Sequence, residues 1–143
     1  MLTRRELLAA GAGTSVCLGL GVSPAAQAVT GQLILKQIPT TGEFLPVIGM
    51  GTNRWVADGD EDTMIALGST LTTFSNLGGR VIDTAPAYRS SETALGKLIA
   101  ELDIRNAFFL ATKVDREDSV DGVMRMEESR KNLQTEQIGR AHV

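Results

Sequence analysis

Asp83, Tyr88 and Lys113 are the residues of this chain best placed to do chemistry. The short apolar run Arg80-Val-Ile-Asp83 ends in an acid, and the chain's only tyrosine, Tyr88, follows within Asp83-Thr-Ala-Pro-Ala-Tyr88. A second apolar run, Ala107-Phe-Phe-Leu-Ala-Thr-Lys113, ends in an amine. Both runs read as β-strands, so an acid, a phenol and an amine arrive together at strand exits. An ammonium beside a phenol favours loss of the phenolic proton, and a carboxylate steadies the ammonium. A tyrosine so placed can donate a proton near neutral pH, which carbonyl reduction requires.

Each residue also has a plainer role. Asp83 alone would be a helix cap or structural carboxylate, and Lys113 alone a solvated surface charge. A charge at the end of an apolar strand is costly unless paired, so the two are expected to pair; a salt bridge with no catalytic part is the alternative. Gly49-Met-Gly51 suggests a nucleotide loop, but Arg54 stands where G-x-G-x-x-G needs its third glycine. A tight strand end and a cofactor contact both stay open for these glycines.

The elements that must position the trio follow from pattern. Gln32–Ile38 and Glu43–Ile48 read as two strands around the turn Pro39-Thr-Thr-Gly42, giving a hairpin. Asp60-Glu-Asp62 marks a helix start, Met64, Leu67, Leu71 and Phe74 form its inward stripe, and Gly78-Gly79 ends it. Thr70, Thr72 and Thr73 weaken that helix, leaving packing to hold it. Ser90-Ser-Glu92 offers an N-cap for a second helix lined by Ala94, Leu95, Leu98, Ile99 and Leu102. A polar third helix is expected from Ser119 to about Thr135, after an acidic loop. Strand and helix alternate after the hairpin, which predicts an α/β fold with parallel strands. Alternation alone does not separate a (β/α)8 barrel from an open doubly wound sheet.

Composition excludes several classes. The 143 residues carry a formal charge of -3 and 4% aromatic residues, so neither a basic footprint nor a stacking platform for nucleic acid is present. Residues 1–28 read as a leader: Arg4-Arg5 heads a Gly/Ala-rich apolar run to Val22, and Ala26-Gln-Ala28 forms an A-x-A cleavage site. The arginine pair resembles a twin-arginine export signal; an ordinary secretory signal or a membrane anchor is the alternative. Cleavage after Ala28 would release a periplasmic protein without a stable membrane anchor, delivered by the twin-arginine machinery. The only cysteine, Cys17, lies in the leader, so thiolate chemistry and disulfides are excluded from the mature chain, and no metal site is expected.

Ile138-Gly-Arg-Ala-His-Val143 reads as one translated frame of a common sequencing adapter. Residues 138–143 are therefore expected to be non-native, and the sole histidine, His142, to have no role; a genuine C-terminal tail is the alternative.

Gly79-Arg-Val-Ile-Asp83-Thr-Ala-Pro-Ala-Tyr88-Arg-Ser-Ser-Glu92, then Gly96, then Phe108-Phe-Leu-Ala-Thr-Lys113-Val, resembles the aldo/keto reductase family. Leu45-Pro-Val-Ile-Gly-Met-Gly51-Thr52 is similar to that family's first barrel strand, and the hairpin before it to the plug at the barrel bottom. Residues 29–137 would then be the N-terminal part of an incomplete (β/α)8 TIM barrel, the hairpin plus about three of eight units. Such a part, with strand edges unpaired, is not expected to fold stably alone.

The resemblance implies that Tyr88 is the general acid toward a small-molecule aldehyde or ketone, with Lys113 and Asp83 behind it. It implies a nicotinamide cofactor, usually NADPH, with Gly51, Thr52 and Asp83 in the cofactor site and Trp55 in the substrate pocket. Glu92 is expected to fix the loop or helix start. The family's fourth catalytic member, a histidine beyond the next strand, and its adenosine-phosphate segments have no counterpart here. Two other outcomes stay open: a non-catalytic cofactor-binding regulatory module of the same fold, and an inactive truncated fragment.

Overall fold

The computed structural model describes residues 32–142. The expected leader, with Cys17, lies outside the described residues. The hairpin forms as β1 (Leu35–Gln37) and β2 (Phe44–Pro46), antiparallel, with Leu35 opposite Pro46. Gly42 turns it with φ of +75°, a conformation that a residue without a Cβ adopts freely. Both strands are shorter than the apolar pattern suggests, and the outer side chains Leu33, Ile34 and Ile48 stand exposed.

The remaining strands, β3 (Gly49–Gly51), β4 (Val81–Asp83), β5 (Phe109–Lys113) and β6 (Arg140–His142), form one sheet in chain order. All three pairings are parallel, as alternation requires. Between the strands lie α1 (Glu61–Asn76), α2 (Ser91–Glu101) and α3 (Ser119–Asn132). Helix α1 starts where the acids predict: the Asp60 carboxylate accepts the Thr63 N–H at 2.7 Å. It ends at Asn76, with Leu77 as its C-cap and Gly78 at φ +83°. Two of its threonines turn their hydroxyls back onto carbonyls one turn earlier, Thr70 to Ala66 and Thr72 to Gly68. Asp118 caps α3 by accepting from Val120 and Asp121.

Side chains alternate across the sheet. Ile82 and Leu110 face the helices and are fully buried with Leu71, Leu95, Ile99 and Leu133. Val81, Phe109 and Ala111 face the other way and, with Leu45 and Thr41 of the hairpin segment, line a cavity of about 580 Å³. Arg80, just before β4, pairs with Glu43 at 3.0 Å, so the hairpin is tied to the N-terminal ends of the parallel strands. Helices α2 and α3 approach at Gly96, where a Cβ would overlap the Asn132 carbonyl oxygen.

Two boundaries differ from the sequence reading. Strand β5 opens at Phe109 and not at Ala107, because Ala107 closes a 3₁₀ turn, Arg105–Ala107, whose Arg105 donates to Phe108 O at 2.8 Å and to Thr135 Oγ1 at 2.7 Å. Helix α3 ends at Asn132, with the Thr135 hydroxyl held by that same arginine. Residues Arg140–His142 form β6 beside β5, with His142 opposite Lys113. Among the described residues no helix is long and apolar enough to cross a membrane.

Candidate active site

The register brings Gly51, Asp83 and Ala111 side by side at the C-terminal ends of β3, β4 and β5. Lys113 lies two residues beyond Ala111 and on the same face. Its ammonium donates to Asp83 Oδ2 at 2.8 Å and to the Thr84 carbonyl at 2.9 Å. The loop after β4 turns through the Ala85–Tyr88 backbone bond, 3.0 Å, which brings Tyr88 back over the strand exit. Lys113 Nζ stands 4.9 Å from the centroid of the Tyr88 ring. The three residues singled out by type and spacing therefore meet.

Their environment is wetter than an apolar strand end suggests. The side chains of Lys113 and Asp83 are 35% and 50% exposed, because the strands stop here and no later element covers them among the described residues. Burial pulls the Lys113 amine down, but hydrogen bonding and charge from Asp83 and Tyr88 outweigh it and hold the amine above the ordinary lysine value. Asp83 and Lys113 also stand on the wall of the 580 Å³ cavity; Tyr88 does not.

The other expected site residues divide. Gly51 is exposed, with nothing within 4 Å of the place a Cβ would take, so the backbone beside Asp83 is open to a flat group. Thr52, expected to touch a cofactor, is fully buried. Its amide donates to Asp83 O at 3.1 Å and its hydroxyl to the same oxygen at 3.2 Å, so it acts on the site from behind. Trp55, expected in a substrate pocket, is 8% exposed and packs in the apolar core cluster. Burying that large ring stabilises the fold more than leaving it on an open wall.

Polar contacts beneath the trio went unread in the sequence. Ser91 donates to Thr52, 2.7 Å away, and shares a 3.2 Å hydrogen bond with Thr84 Oγ1. Thr112 donates to the Glu92 carboxylate at 2.6 Å, with Glu92 3% exposed. Ser90 occupies the N-cap position of α2 but does not cap: its hydroxyl accepts the Ala57 N–H at 2.9 Å. The sequence offered Ser90-Ser-Glu92 as an N-cap and Glu92 as a residue fixing the loop or helix start, but their partners lie far off in the chain.

The family model described as the aldo/keto reductase family matches residues 47–141. The chain belongs to the aldo/keto reductase family. Among solved structures it is similar to a Pseudomonas aeruginosa protein assigned to the aldo-keto reductases, with TM-score 0.64 and 27% identity over 73% of this chain and 43% of that one. It is similar to an aldo/keto reductase from Brucella melitensis with TM-score 0.58 and 25% identity, over 74% of this chain and 39% of that one. A fold likeness of TM-score 0.63 at 22% identity links it to an aldo-keto reductase from Klebsiella pneumoniae in complex with NADPH, over 76% of this chain and 39% of that one. No curated protein sequence matches the chain.

The chain thus spans less than half the length of these solved aldo/keto reductases. Its hairpin, three strand–helix units and final strand are part of a (β/α)8 barrel, and the trio lies at the strand ends where such barrels place their sites.

Proposed function

We propose that this chain supplies the proton-donating part of a carbonyl reductase site that uses a nicotinamide cofactor, NADPH. One observation carries the reading: a single ammonium, that of Lys113, is held at 2.8 Å by Asp83 and lies 4.9 Å from the Tyr88 ring centroid. The Tyr88 hydroxyl gives its proton to the oxygen of an aldehyde or ketone. Lys113 stabilises the phenolate left behind, and Asp83 with the Thr84 carbonyl fixes where that positive charge stands. Bound NADPH would supply the hydride that completes the alcohol.

The open backbone at Gly51 and the half-exposed Asp83 fit a flat ring laid across the ends of β3 and β4. Thr52 keeps that ledge in place from below, and Trp55 supports it through the core. His142, whose residues read from sequence as foreign, is given no part in this reading. Residues 1–28 serve as an export leader removed after Ala28, placing the enzyme in the periplasm; export already folded would allow the cofactor to be loaded beforehand.

The test is Tyr88→Phe in the full-length protein, with 4-nitrobenzaldehyde and NADPH. Reduction should be abolished while NADPH still quenches protein fluorescence with undiminished affinity. Unimpaired reduction by that variant removes Tyr88 from the role.

A further inference from the structure

The first turn of α2 carries two polar side chains that the chemistry above does not use, Ser91 and Glu92, and both are sealed from water at 0% and 3% exposure. Glu92 accepts the Thr112 hydroxyl at 2.6 Å, and Thr112, 1% exposed, is the residue immediately before Lys113. Ser91 reaches the other side of the same lysine. Its hydroxyl oxygen lies 3.2 Å from Thr84 Oγ1, and the Thr84 carbonyl is an acceptor for the Lys113 ammonium. The directions are consistent around the chain of hydroxyls. Ser91 donates to Thr52 and Thr52 to the Asp83 carbonyl, so with its one hydrogen spent Ser91 is left to accept from Thr84.

We propose that Glu92 and Ser91 are positioning residues for Lys113, one holding the root of its side chain and the other the carbonyl that receives its ammonium. Thr112 points to the helix side while Lys113 points to the opposite face, so fixing the one peptide aims the other side chain. Thr84 is held from two directions, by Ser91 and by its own N–H bond to Ala111 O at 2.9 Å.

Stability alone does not call for these groups. Replacing both partners of a buried hydrogen bond by apolar groups of like shape is often nearly neutral. Direction is what they add: a hydroxyl and a carboxylate fix an angle that a packed methyl group leaves free.

The inference rests on the reading of Lys113 as the partner of Tyr88, and its test separates the two. Three variants are made in the full-length protein: Thr112→Val, the double Thr112→Val/Glu92→Leu, which leaves no orphaned polar group, and Thr112→Ser. The single-turnover rate with 4-nitrobenzaldehyde and NADPH should fall about ten- to a hundred-fold in the first two, the scale set by small displacements of catalytic groups. The KM for the aldehyde should hold, and Thr112→Ser should restore the rate.

Acylation of Lys113, followed by mass spectrometry against pH, needs no turnover. It should speed up in the first two variants as the ammonium loses its seat, and return to the native rate in Thr112→Ser. Native turnover and acylation in the double variant, with only a lowered melting temperature, overturn the proposal. If Tyr88→Phe stays active, the proton-donor reading fails while the acylation result still decides whether the tether exists.

Discussion

Asp83 and Lys113 are diagonal neighbours on one face of the sheet: the register sets Asp83 against Ala111, and Lys113, two residues further on, reaches across to place its ammonium 2.8 Å from the carboxylate. Neither strand alone could make this pair. It exists because β4 and β5 run parallel in that register and stop together, leaving both charges at one end of the sheet. Tyr88 then needs only the short loop after β4 to reach the same ammonium.

The pair has a pH signature. Lys113 titrates above its ordinary value in the fold, so its contribution to stability is fully present below the unfolded lysine pKa, about 10.4, and is lost as pH rises through the folded value. Asp83→Asn should remove that contribution. With both side chains partly in water the loss at neutral pH should be within about 1 kcal/mol. Urea unfolding from pH 7 to pH 11 should show the two proteins converging at the alkaline end. A constant gap across the range would mean that Asp83 stabilises by some other contact.

Gly51 and Gly96 should separate ligand binding from packing. An added Cβ at Gly51 meets nothing within 4 Å, so Gly51→Ala should leave stability within about 0.5 kcal/mol of native. It should nonetheless weaken NADPH binding, because the methyl group stands where the ring is proposed to lie. Gly96→Ala does the reverse: its methyl overlaps the Asn132 carbonyl and the Leu133 backbone and should cost about 1–3 kcal/mol by forcing α2 and α3 apart. Thermal melts and fluorescence titration of both variants check the contrast; equal NADPH affinity in Gly51→Ala would move the cofactor elsewhere.

How far the sequence carried can be seen at particular residues. Asp83, Tyr88 and Lys113 were legible because each follows a strand whose period and end are local facts. The helix start at Asp60 and the stripe through Leu71 were local too. Ser90 misled, since its hydroxyl was taken by the amide of Ala57, 33 residues earlier. Glu92 was expected to fix the loop or helix start, but its partner Thr112 and the Ser91 partner Thr52 could not be read, because they lie 20 and 39 residues away. Trp55 sits near the strand end in sequence, but burial of its ring decides where it points. The start of β5 was lost to Arg105, whose hold on Thr135 crosses 30 residues.

Leu110→Ala should be among the most damaging core changes. Leu110 is fully buried in β5, on the helix side of the sheet and clustered with Leu95, Ile99 and Leu133. Removing its branch leaves a cavity in a rigid strand flanked by helices, which should cost about 2–5 kcal/mol. Denaturant titration of the full-length protein gives the value. A cost near zero would show that the helix layer collapses onto the strand.

The 143 residues alone should not melt cooperatively. Strands β3 and β6 stand at the two edges of the sheet, and Ile34, Ile48 and Leu77 are each more than 70% exposed. Unpaired strand edges and uncovered apolar residues favour association over a unique monomer. The isolated chain should therefore show sloping ellipticity on heating and should bind a hydrophobic dye when cold. The face of the sheet with Val81, Phe109 and Ala111 supports the same outcome, since it borders a cavity of about 580 Å³ instead of packed side chains. A sharp, reversible transition from a monomer would show that the helix-side core of Leu71, Ile82, Leu95 and Leu110 suffices by itself. The site at the strand ends could then be studied without the rest of a barrel.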